Sequence, residues 1–138
     1  PHLRDLTQVT ITAPEANRTT ALLLLGWLAT QLGWTLKSVA TLQFTDDRNR
    51  EIMIDMQSAP GKALIGVSLT CAEATFALHR DTDSHYLHAE LNLPGGHRYH
   101  HLFPSGPDTI VDLLDEEMSR ASTDRIYLRA VKIIEPLL

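Results

Sequence analysis

The chain has 138 residues, with 12 Lys and Arg against 17 Asp and Glu, for a formal net charge of −5. That length suits one domain, residues 1–138, and the acidic balance disfavours nucleic acid and anionic membrane surfaces as partners. A hydrophobic content of 43% supports a core without disulfides or a structural metal, and the lone Cys71 fits a reducing cytoplasm.

The chain opens at Pro1 without an initiator Met, which reads as the C-terminal domain or a fragment of a longer protein. An N-terminal domain would then be one of its partners. Residues Thr7 to Thr12 alternate, with Val9 and Ile11 on one face, and Pro14 stops them; a short strand is expected. From Thr20 to Gly33 the residues favour helix, with possible caps at Asn17 to Thr20 and a terminating glycine. Leu22, Leu23, Leu24, Leu25, Trp27 and Leu28 cover most of that helix's circumference, so it must be central or be covered on its far side. The apolar stretch Ala21 to Leu32 is too short to span a bilayer, and no basic segment precedes it as in a signal peptide.

From Trp34 to Phe103 the hydrophobic period becomes two. Leu36, Ala40, Leu42 and Phe44 form one alternating set, and Ile52, Ile54 and Met56 a second. Four more follow: Ala63 to Leu69, Ala74 to Leu78, Leu87 to Leu93, and Tyr99 to Phe103. Turn residues separate them, and short turns force antiparallel neighbours. The expected class is α+β: an antiparallel meander of about six strands, packed by the Leu-rich helix before it and two helices after it. The first closing helix carries the stripe Ile110, Leu113, Leu114 and Met118, opened by Pro107 and Asp108. The second starts near Ser122 or Thr123, buries Ile126, Tyr127, Ala130, Ile133 and Ile134, and ends at Pro136.

No catalytic or cofactor-binding residue stands out. Cys71 has no base beside it in sequence, Gly61-Lys62 lacks the rest of a P-loop, and no Gly-x-Ser-x-Gly elbow exists. Five of the seven histidines fall between His85 and His101. A two-residue turn at Pro94-Gly95 would set His88 opposite His101 with Glu90 on the same face, a start for zinc coordination. A solvated sheet face is the default reading, and a metal-binding domain or metal-dependent enzyme using the His85–His101 hairpin the alternative. Trp27 and Trp34, at the border of helix and strand, are either core anchors or interface centres.

The segment Leu22-Leu23-Leu24-Leu25-Gly26-Trp27-Leu28-Ala29-Thr30-Gln31-Leu32-Gly33-Trp34 resembles the Leu-rich helix of the glucose-6-phosphate dehydrogenase assembly protein family, OpcA. Asp5-Leu6-Thr7, Leu113 to Arg120, and Asp124 to Ala130 with its Asp-x-x-Tyr-x-x-Ala spacing are similar to further blocks of that family, in the same order. The resemblance implies a non-catalytic, cytoplasmic bacterial protein that binds glucose-6-phosphate dehydrogenase and promotes its assembly or activation in the oxidative pentose phosphate pathway. It also marks Trp27, Trp34 and Tyr127 as candidates for contact with that partner.

Overall fold

In β1 (Leu6–Ala13), Val9, Ile11 and Ala13 are buried while Gln8, Thr10 and Thr12 face the other way, as period-two alternation demands. The structure is a computed structural model that describes residues 2–61, 66–80, 86–104 and 125–138. After Pro14 a single 3-10 turn leads into α1 (Arg18–Leu32). Asn17 holds the N-cap position, and Gly33, at φ 69°, takes the left-handed conformation that ends the helix. The amide of Trp34 also donates to the Ala29 carbonyl at 2.8 Å, so the chain turns sharply back toward the sheet.

Seven more strands follow: β2 (Thr35–Ser38), β3 (Gln43–Thr45), β4 (Glu51–Ser58), β5 (Gly66–Cys71), β6 (Thr75–Arg80), β7 (Tyr86–Asn92) and β8 (Arg98–Pro104). α2 (Arg125–Ile134) closes the chain, with Pro136 in the 3-10 turn beyond it. All eight strands join one sheet in the order β2-β3-β4-β1-β5-β6-β7-β8. The α+β class is thus observed, with three corrections to the expected meander.

The alternating set from Leu36 to Phe44 is a hairpin and not one strand. Val39–Leu42 form its turn, with Leu42 at φ 48° and the Thr41 amide donating to Ser38 Oγ at 3.4 Å. No glycine, proline or asparagine announces that turn. Next, β1 is inserted between β4 and β5, parallel to β4 and antiparallel to β5. β4 and β5, consecutive in sequence, therefore flank β1, and β1–α1–β2–β3–β4 is a crossover with a hairpin inside it. Among the described residues, eight strands also replace the six expected. The expected helix at Pro107 to Met118 and the start of the last helix at Ser122–Thr123 lie outside the described residues.

One core joins α1, α2 and one face of β1, β3, β4 and β5. Val9, Ile11, Phe44 and Ile52 are wholly buried there beneath Ala21, Leu22, Leu25 and Ala29. α2 packs against α1, and Ala130 and Ile134 are buried there. Gly26 makes that approach possible, because a Cβ there would lie 2.5 Å from the Ala130 carbonyl oxygen. The Leu-rich helix is apolar nearly all round because it has protein on two sides.

Candidate functional site

The clearest concavity lies where α1 overhangs the middle of the sheet. It is an apolar cleft of about 520 Å³. Trp27, Leu28 and Leu32 of α1 form one wall, and Leu69, Cys71 and Phe76 of β5 and β6 form the other. Trp27 stands at this cleft with 45% of its surface exposed, and Phe76 is exposed as well. A large indole held by a rigid helix beside an apolar hollow has the character of an interface anchor.

Two of the three residues expected to contact a partner separate in space. Trp27 lies on the surface as such a role needs. Trp34 does not: it is 6% exposed and packs its ring on Phe44, with centroids 6.3 Å apart and planes tilted by 53°. The left-handed turn at Gly33 breaks the helical phase between the two indoles, so one points out and the other into the core. The backbone of Tyr127 belongs to α2, and its side chain lies outside the described residues. Sequence pattern places Leu69, Phe76 and Leu91 on strands without showing that they line a cleft. That follows only from β5, with β6 next to it, pairing with β1, a long-range pairing.

Cys71 is buried at the inner end of the cleft, and its thiol donates to the Ala74 carbonyl at 3.4 Å. That is the environment of a small packed residue. Beyond the cleft, Asp46 organises the β3–β4 turn. Its carboxylate accepts from the Arg50 amide at 2.8 Å, the Arg48 amide at 2.9 Å and the Arg50 guanidinium at 2.8 Å. The Arg50 amide bond, together with the guanidinium, holds the Asp46 carboxyl below its ordinary value of 3.8. Arg50 is in turn raised above its usual range by its bond to Asp5 at 2.7 Å and by Asp46, and it also donates to the Arg4 carbonyl. This arginine ties the segment before β1 to the turn entering β4.

The expected pairing of His88 with His101 does not occur. His88 pairs with Leu102, and His101 pairs with Ala89 on the opposite face of the sheet. The cause is local. Pro94 cannot adopt the positive φ that a two-residue hairpin turn needs at its first position, whereas Gly95 and Gly96 both take φ 81°. The loop therefore takes three residues, closed by the Leu93 amide donating to the His97 carbonyl at 2.8 Å, and the register shifts by one. His88 instead shares a face with His79, Glu90 and His100. The His79 and His88 rings stack 4.9 Å apart, and His88 Nδ1 lies 3.1 Å from His100 Nε2. Among the described residues, no three His, Cys, Asp or Glu side chains are grouped so as to hold a metal ion.

Compared with known proteins, residues 1–131 match the family profile described as the C-terminal domain of the glucose-6-phosphate dehydrogenase subunit, OpcA. No curated protein sequence matches the chain. Among solved structures, a provisionally assigned oxidoreductase from Bacteroides fragilis NCTC 9343 is similar at 10% sequence identity with a TM-score of 0.43. The similarity covers 99% of this chain and 53% of that one, so this chain spans about half its length.

Proposed function

Since the chain belongs to the OpcA family of glucose-6-phosphate dehydrogenase subunits, matched through their C-terminal domain, we propose that it is a non-catalytic module that binds this dehydrogenase. Binding promotes the enzyme's assembly or its activation, which feeds the oxidative pentose phosphate pathway, and it takes place in the bacterial cytoplasm. The lone Cys71 accords with a reducing compartment, and among the described residues no helix is long and apolar enough to cross a membrane.

One observation carries the reading to a surface: Trp27, half exposed at the apolar cleft between α1 and β5–β6. Trp34 fits less well, since it belongs to the core. Exposed indoles beside apolar hollows form the centres of interfaces, where one anchor can contribute about 2 kcal/mol or more, roughly 30-fold in affinity. An assembly role requires the partner's oligomeric state or substrate affinity to depend on this protein. Size-exclusion chromatography of the mixture with the dehydrogenase of the same organism, with and without Trp27→Ala, tests the binding, and steady-state kinetics of the same mixtures test the activation. Co-elution and a changed apparent substrate affinity with the wild-type chain, both lost in the variant, are expected. Separate elution of the wild-type chain with unchanged kinetics would remove the proposal; retained co-elution of the variant would move the interface away from Trp27.

A further inference from the structure

We propose that His88 and His100 form a two-imidazole binding site for a divalent transition-metal ion of the zinc class. The site lies on the sheet face opposite α1, and it owes nothing to the partner-binding reading. The pair comes from adjacent strands: His88 is on β7 and His100 on β8. Rows of registered residues fix their side. Thr10, Ser68, Ala77, Glu90 and His100 lie in one row across β1, β5, β6, β7 and β8, and Gly66, His79, His88 and Leu102 in the next. His100 is therefore diagonal to His88 and directly across from Glu90.

The nitrogens His88 Nδ1 and His100 Nε2 are 3.1 Å apart. Two imidazoles on one zinc ion, each with a bond of roughly 2.0–2.1 Å and set at a tetrahedral angle, place their nitrogens about 3.3 Å apart. The pair thus already has close to the separation of a chelate, and His100 is exposed to solvent. Neutral imidazoles in hydrogen-bond contact hold one proton between them, with one nitrogen donating and the other accepting. Coordination needs both lone pairs, so the donating ring takes its other tautomer and carries that proton on its far nitrogen; neutral rings release none. His79, stacked on His88 with planes 8° apart, limits how far the His88 ring can turn. Glu90, on the same face two residues along β7, adds a negative charge that favours a cation. Imidazole donors select zinc, copper or nickel over magnesium and calcium.

Sequence spacing alone sets His101, and not His100, opposite His88, and the true register supplies the control. Zn²⁺ is titrated calorimetrically into untagged, chelator-treated protein, with Mg²⁺ as the comparison ion and thermal unfolding as a check on the fold. One saturable Zn²⁺ site is expected in the wild type and in His101→Ala, with a rise in Tm on loading. His88→Ala and His100→Ala should bind at least about 100-fold more weakly, since loss of mere outer-shell partners costs about 10- to 100-fold. Because His100 is exposed, its variant keeps the metal-free unfolding transition even if that of His88 does not. Absence of saturable Zn²⁺ binding in the wild type, undiminished binding in His100→Ala, or equal loss in His101→Ala would each overturn the site.

Discussion

β1 and β8 are strands of similar length in one sheet, and their surroundings differ completely. Val9 and Ile11 of β1 have no exposed surface, because α1 lies over them and β4 and β5 flank them. Tyr99 and Leu102 of β8 are 61% and 49% exposed, and among the described residues β8 is an edge strand. Among the described residues, none in β6, β7 or β8 is buried, whereas β1, β3 and β4 supply much of the core. Each fully buried Val, Leu, Ile or Phe contributes roughly 1.5–3 kcal/mol, so stability is concentrated under the helices. The contrast separates labour: one half of the sheet holds the fold, and the cleft at its border, with Trp27 on the helix and Phe76 on the sheet, is the surface proposed for contact.

That division can be broken first in the core. Phe44→Ala should lower unfolding free energy by about 3–5 kcal/mol in urea denaturation, since it opens a cavity beneath Trp34. Tyr99→Ala on the exposed edge should change it by about 0.5 kcal/mol or less. Equal losses at the two sites would abolish the distinction. Gly26→Ala comes next. The added Cβ would meet the Ala130 carbonyl oxygen and the Ile134 Cγ2, so α1 and α2 must part at a cost of about 1–3 kcal/mol, read from the same denaturation curves.

Trp27→Ala should cost only about 1 kcal/mol of stability while removing partner binding, which uncouples the cleft from the core. The smallest effect concerns acid. Asp46 has a carboxyl held below its ordinary value, so its contribution is complete above pH about 4 and is lost as pH falls through the lowered value. Thermal unfolding of the wild type and Asp46→Ala should therefore differ at pH about 6, with the wild type higher, and converge as pH falls through the lowered value. A gap that persists in strong acid would show that the carboxylate's ionisation is not what fastens the β3–β4 turn.

The helix-backed half is largely legible in the amino-acid sequence. Period-two alternation marks β1, the leucine run with Gly33 marks α1, and the last helix's apolar stripe puts Ala130 and Ile134 on its buried side. What pattern cannot show is who pairs with whom. Insertion of β1 between β4 and β5 depends on contacts some 45 to 65 residues apart, and no local signal encodes them. The turn at Val39–Leu42 lacks turn residues, so its hairpin has the pattern of a single strand. In the β7–β8 hairpin the clue is present in the chain itself. Pro94 requires a negative φ, which excludes the tighter turn and moves every histidine of β8 by one position. Trp27 and Trp34 look alike in sequence because the left-handed Gly33 between them, recognisable as a helix stop, also reorients everything after it.

The central claim is that the dehydrogenase touches the cleft at Trp27 while the core remains as it is. The chain has two tryptophans, so incorporation of 5-fluorotryptophan gives two ¹⁹F resonances, assigned with Trp27→Phe. Titration with unlabelled glucose-6-phosphate dehydrogenase should shift or broaden the Trp27 signal to saturation and leave that of Trp34 in place. A Trp27 resonance that stays unmoved at saturating enzyme would contradict the account.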